Sequence, residues 1–109
     1  VVKCSDLDQQ LSAISDPTRR RILERLAAGP ASISELGEPL EISMPGLLKH
    51  VRVLEAAELV RTHKHGRTRH CELGDASLDD VAAWVDAQRD RWNHRLDRLE
   101  AYLTTKEGT

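Results

Sequence analysis

Ser43-Met44-Pro45-Gly46-Leu47-Leu48-Lys49-His50-Val51-Arg52-Val53-Leu54-Glu55 is the stretch that decides the fold. A serine hydroxyl caps the open amides of a helix start, and proline fits the first turn because its missing N–H is not needed there. Leu47, Val51 and Leu54 then recur at helical spacing, which makes one apolar stripe. The opposite stripe is Met44, Pro45, Leu48, Lys49 and Arg52, with Gly46 and His50 beside it. This helix buries one side and offers positive charge on the other.

Upstream, Leu7, Leu11 and Ile14 suggest a first short helix. Asp16-Pro17 opens a second, running to about Ala28 with Ile22, Leu23 and Leu26 inward, and Gly29-Pro30 stops it. Ser32-Ile33-Ser34-Glu35 reads as a capping box for a third helix, which Glu38-Pro39 ends. Downstream of Ala57 the period changes. Residues 59–63 and 68–73 are β-favouring runs around Lys64-His65-Gly66-Arg67, a hairpin with glycine available at the tip. Ser77 with Asp80 opens a last, long helix. Its apolar positions are Leu78, Val81, Val85, Trp92, Leu96, Leu99 and Leu103, with Gln88 filling one gap. Residues 1–6 and 104–109 are expected to be loose ends. The order, four helices, a hairpin and a helix, predicts a mainly α fold with a small β-hairpin: a winged helix-turn-helix, one domain over 1–109, with the hairpin as wing. The last helix's stripe is too long for so small a domain to cover, which points to a dimer in preference to its packing back on its own domain.

Composition fits this. The chain has 109 residues, 39% hydrophobic and 31% charged, with 3% aromatic and no Phe. Aliphatic side chains must fill the core, which favours helices over a β-sandwich. The net charge of −2 hides an asymmetry. Residues 43–71 hold Lys49, Arg52, Arg61, Lys64, Arg67 and Arg69 against Glu55 and Glu58 alone, while the flanking segments are acidic. A mildly acidic chain with one basic stretch points to a localised anionic partner, nucleic acid first. No apolar run approaches the ~20 residues of a membrane span, and residues 1–6 do not read as a secretory leader. Cys4 and Cys71 are too few for a disulfide scaffold, so a reducing cytoplasm is expected.

Residues 43–55 resemble the recognition helix of the ArsR/SmtB repressors, which carry a Ser-x-Pro-x-x-x-(Arg/Lys)-His-(Leu/Val)-x-x-Leu pattern. Asp16-Pro17-Thr18-Arg19-Arg20-Arg21-Ile22-Leu23 is similar to that family's helix start, and Leu59-Val60 leads into the wing with Gly66-Arg67. The resemblance spans residues 10–103. It implies a homodimeric, cytoplasmic, autoregulated repressor that binds double-stranded DNA, and a two-fold dimer with one recognition helix per subunit should prefer a near-palindromic site. The first and last helices would dimerise and the fourth would enter the major groove. One departure stands out: Glu58 occupies the place where the family usually has glycine, so a left-handed turn there must either strain or differ.

Many members of that family are released from DNA by metal ions, but the residues for this are missing. Ser34-Glu35-Leu36-Gly37-Glu38-Pro39-Leu40, where one family site lies, has neither Cys nor His. His94-Arg95-Leu96-Asp97 resembles half of a second site on the last helix, and the other half falls on Val81 and Ala83, which cannot ligate. Half a site is too few ligands for Zn²⁺. Residues 84–103 look like a metal-independent branch of the family. No metal and no cofactor are therefore expected.

The expected DNA-facing residues are Ser43, Met44, Pro45, Gly46, Leu48, Lys49, His50 and Arg52, with His65, Arg67 and Arg69 in the wing. Ser43 and the helix start can hold a phosphate. Lys49 suits a guanine edge or a phosphate, and Arg52 a phosphate. Leu48 either meets a thymine methyl or packs on the third helix. His50 is either a base reader or a half-buried, satisfied histidine, and the second reading is preferred. Leu7, Leu11, Val85, Trp92, Leu96, Leu99 and Leu103 are the expected dimer residues. Two other readings stand beside this one. The first is a metal- or thiol-responsive sensor using His63, His65 and His70, or Cys71, with Cys4 and Cys71 as a possible redox pair. The second is a winged-helix protein-interaction module without DNA binding, against which the basic 43–71 stretch argues. No catalytic set is present: no Gly-rich phosphate loop, no nucleophile beside a base. The sequence carries no sign of an effector.

Overall fold

The computed structural model describes the backbone of residues 2–107 and the side chains of residues 6–105. The Cys4 thiol, which a redox pair would need, lies outside the described residues. The described residues fall into two units that meet between Leu78 and Asp79 in the sequence.

The first unit runs α1 (Val2–Ala13), α2 (Pro17–Ala27), β1 (Ala31–Ser32), α3 (Ile33–Gly37), α4 (Met44–Ala56), β2 (Val60–His65) and β3 (Thr68–Leu73). Three helix starts follow from local side-chain chemistry. The Asp16 carboxylate accepts from the Arg19 amide at 3.1 Å. Ser32 and Glu35 close a reciprocal capping box, each bond 3.1 Å. Ser43 Oγ accepts from the Gly46 amide at 3.2 Å, and Pro45 sits in that first turn. Ile22 and Leu26 of α2, Ile33 and Leu36 of α3, and Leu47, Val51 and Leu54 of α4 then share one aliphatic core with Leu59, Val60 and Cys71. Burying each of the larger side chains stabilises the fold by about 1.5–3 kcal/mol.

The sheet has three antiparallel strands in the order β1-β3-β2. Register runs from Val60 opposite Leu73 to His65 opposite Thr68, which leaves only Gly66-Arg67 as the turn. Gly66 takes φ 66° there, the positive value that a tight hairpin needs at its first central position. The fold is thus mainly helical with a small sheet, and the expected hairpin gains a third strand: Ala31 pairs with Cys71 and Ser32 with His70. Two residues are too few to leave a period in the sequence.

Other boundaries move for stated reasons. α1 begins at Val2 and not near Leu7, since neither Gly nor Pro interrupts the run before Asp16. Ile14 lies past its end, where its amide still bonds the Gln10 carbonyl at 3.1 Å. Leu78 is not a position of the last helix. It takes φ 63° just before it and packs against the core, so Ser77 is not the cap.

The end of α4 explains Glu58. Leu59 N–H bonds the Leu54 carbonyl at 3.0 Å and Glu58 N–H bonds the Glu55 carbonyl at 2.9 Å. This is the Schellman pair, with Glu58 at φ 62° in the left-handed position where glycine is favoured. Of the two outcomes left open for Glu58, the strained one holds.

The second unit is α5 (Asp79–Glu107), 29 residues long and so about 43 Å. Asp79 and Asp80 in its first turn complement the helix dipole. Residues 104–107, expected to be loose, continue this helix. Val85, Trp92, Leu96, Leu99 and Leu103 are all exposed.

Candidate nucleic-acid interface

Leu47, Val51 and Leu54 hold α4 by one side, which turns Met44, Pro45, Lys49 and Arg52 to solvent. Ser43 is exposed at the tip. Its oxygen takes the Gly46 amide, and its hydroxyl hydrogen remains to donate outward. Gly46 is half-buried beside it. Leu48 is half-buried as well. It lies between α3 and the hairpin, sharing one recess with Ile33, Ser34 and Arg67–Arg69 and another with Arg52, Glu55 and Thr62.

The hairpin has two different faces. On the side toward α4, Arg69 donates to Thr62 Oγ1 at 3.0 Å, and Thr62 donates to the Glu55 carboxylate at 2.7 Å. This chain ties the wing to the recognition helix. Glu55 and Thr62 were not singled out from sequence, because they are seven positions apart and carry no motif. Arg67, by contrast, stands exposed at the turn. The two wing arginines therefore differ: Arg69 bonds Thr62 of β2, which in turn bonds Glu55 of α4, while Arg67 stands at the turn. Arg61 is not part of the basic surface in effect. Glu72 and Asp75 each meet its guanidinium at 3.1 Å.

On the other face, His63 stacks on His70 with ring centroids 5.8 Å apart, and His65 meets His70 edge-on at 6.3 Å. Among the described residues, no group of three or more His, Cys, Asp or Glu side chains is arranged to hold a metal ion. Cys71 points the opposite way, into the core, and is fully buried. Burial pushes its thiol up to about 11, and the nearby Glu55 carboxylate adds to the effect. A protonated, buried thiol is neither a nucleophile nor a ligand at neutral pH. On α5, His94 Nδ1 bonds the Asp90 carbonyl of its own helix at 3.2 Å.

His50 is half-buried, and its Nδ1 lies 3.1 Å from Arg19 Nη1. The ring is thus partnered within the fold. Leu7 and Leu11 are half-buried on α1.

A helix-turn-helix domain model matches residues 14–63, which span α2 through α4 into β2. The HTH-type transcriptional regulator Rv2034 of Mycobacterium tuberculosis is 39% identical over 101 residues, covering 93% of this chain and 91% of that protein. The transcriptional repressor SdpR of Bacillus subtilis is 33% identical over 79 residues, covering 72% of this chain and 88% of that one. Among solved structures, an ArsR-like transcriptional regulator from Rhodococcus sp. RHA1 superposes with a TM-score of 0.78 at 29% identity, over 93% of each chain. With the capped recognition helix, the α2 start and the wing in the same order, this chain belongs to the ArsR family of helix-turn-helix transcriptional regulators, a family of regulators and not of enzymes.

Proposed function

We propose that the protein is an autoregulating, sequence-specific repressor that binds double-stranded DNA as a homodimer in the cytoplasm. The observation that carries this reading is the solvent face of α4. Met44, Pro45, Lys49 and Arg52 project from a helix whose other side is locked into the core, and the wing arginines flank it. A helix so presented fits the major groove, with Lys49 at base edges and Arg52 at phosphate. Arg67 reaches the flanking backbone, and Arg69 supports the wing at the angle that lets it do so. His65, exposed next to the turn, adds a phosphate or water contact. A two-fold dimer then prefers a near-palindrome with half-sites about one turn apart, ~10–11 bp.

The exposed apolar stripe of α5, Val85, Trp92, Leu96, Leu99 and Leu103, supports the homodimer. A homodimeric winged-helix domain from Mycobacterium bovis shares the fold, with a TM-score of 0.63. No helix among the described residues is long and apolar enough to cross a membrane. The missing ligands on α3 and α5 support release by something other than a metal ion.

A gel shift with DNA from upstream of the protein's own gene tests the reading. A discrete complex that unlabelled scrambled DNA fails to compete away is the expected result. Equal competition by scrambled DNA would leave a winged helix without sequence reading.

A further inference from the structure

We infer that Arg19 is a positioning residue for DNA reading: its guanidinium, through His50, locks the recognition helix to the end of α1. The inference rests on the DNA-binding role proposed above for α4. Arg19 lies in the first turn of α2 and reaches two other elements at once. Nε donates to the Ala13 carbonyl at 2.7 Å and Nη2 to the Ser12 carbonyl at 3.0 Å. These are carbonyls from the last turn of α1, which lack partners inside the helix and form its negative end. Nη1 points the other way, to His50 Nδ1 at 3.1 Å. A guanidinium only donates, so Nδ1 accepts and the imidazole proton sits on Nε2.

The apolar contacts of Leu47, Val51 and Leu54 set which face of α4 is buried, but they tolerate a small roll about that setting, because hydrophobic burial is not directional. Two directional side-chain bonds brace it instead: Glu55 to the wing through Thr62, and His50 to Arg19. His50 follows Lys49 in the chain, so a small roll of α4 that loosens the His50 bond also moves the Lys49 ammonium off its base. The planar fork matters. Lysine also has three donors, but they radiate from one nitrogen, whereas Arg19 meets its three acceptors with three separate nitrogens of a rigid plane. The neighbouring Arg20 does not duplicate the link, since it reaches the Ile14 carbonyl at 2.8 Å.

The test uses the full chain and anisotropy titrations of upstream and scrambled duplexes at several salt concentrations. Arg19→Gln and His50→Leu should each weaken the upstream duplex about tenfold, the scale of coupling through residues that touch no ligand. Together they should cost no more than either alone. The scrambled duplex and the salt slope should hold, because neither side chain meets a phosphate. His50→Asn places Oδ1 where Nδ1 stands and should recover most of the loss, whereas Arg19→Lys should not. Additive losses, a salt slope shallower by about one unit in each subunit, or His50→Asn as weak as His50→Leu would overturn the inference. If circular dichroism finds His50→Leu unfolded, Arg19→Gln and Arg19→Lys against His50→Asn decide the same question. Wild-type protein that ignores the upstream sequence defeats the DNA reading itself. Wild-type protein that prefers it, with both variants unaffected, defeats only the role of Arg19.

Discussion

The backbone carbonyl of Glu58 presses against Gly74, so that a Cβ placed on Gly74 would stand 3.0 Å from the Glu58 carbonyl carbon and 3.1 Å from Val60 N. The two residues form the joint between recognition helix and wing. The Gly74 amide bonds the Leu59 carbonyl at 2.9 Å, and the Ala76 amide bonds Glu58 at 3.1 Å.

This joint sets opposite expectations for its two members. Gly74→Ala forces backbone apart and should destabilise the protein by about 1–3 kcal/mol, as overpacking does. Glu58→Gly relieves a left-handed residue worth about 1–2 kcal/mol but frees the unfolded chain, so a net gain of about 0.5–1 kcal/mol is expected. Urea unfolding of the two variants checks the signs. A Glu58→Gly protein less stable than wild type would mean that the left-handed turn is unstrained.

Acid should weaken the fold through two caps. The Arg19 amide holds the Asp16 carboxyl below its ordinary 3.8, and Ser32 holds Glu35 below its ordinary 4.5. Groups with lowered folded pKa values stabilise fully above their unfolded values and lose that contribution as pH falls through the folded ones. Unfolding midpoints should therefore hold from pH 7 to about 5 on account of these groups and then fall. Asp16→Asn with Glu35→Gln should flatten the acid limb, and an unchanged limb would remove both caps from the explanation.

Thiol reagents and metal ions should leave the DNA complex intact. Cys71 is buried and protonated at neutral pH, and the wing histidines stack on one another without converging. In a Cys4→Ser background, Ellman's reagent should label Cys71 only after denaturant is added. Near-stoichiometric Zn²⁺, Ni²⁺ or Cd²⁺ should not release DNA. One tight metal site per protomer coupled to release would restore the sensor reading, with His63, His65 and His70 the first ligands to replace.

Association should depend on α5. Trp92→Ala or Leu99→Asp should weaken the dimer, since removing a large buried side chain costs about 3–5 kcal/mol. Sedimentation of wild type as a monomer at micromolar concentration would contradict this account of the stripe.

What could be read in the sequence was local. Asp16, Ser32 and Ser43 announce their helices because each cap acts within three residues of itself. The buried stripe of α4 is a matter of period alone. Glu58 was visible as trouble because one residue type belongs at that turn. The contacts that make the site one body were hidden, because they join distant positions. Arg19 meets His50 across 31 residues, and Arg69 reaches Glu55 only by way of Thr62. Two-residue β1 and the positive φ of Leu78 leave no pattern either. Leu78 looked like a turn of α5 because an apolar residue that caps a core and one that continues a stripe share the same spacing.

The central claim is a division of labour in which α4 reads sequence and the wing tip anchors backbone. Anisotropy titrations of Lys49→Ala and Arg67→Ala against operator and scrambled duplexes, across a range of salt concentrations, test it most directly. Lys49→Ala should cost about 1–3 kcal/mol per half-site, nearly all on the operator. Arg67→Ala should weaken both duplexes alike and flatten the salt dependence by about one unit of slope for each phosphate that a subunit no longer neutralises. If Arg67→Ala keeps the wild-type slope while Lys49→Ala weakens both duplexes equally, the roles are reversed and the docking of α4 in the groove is wrong.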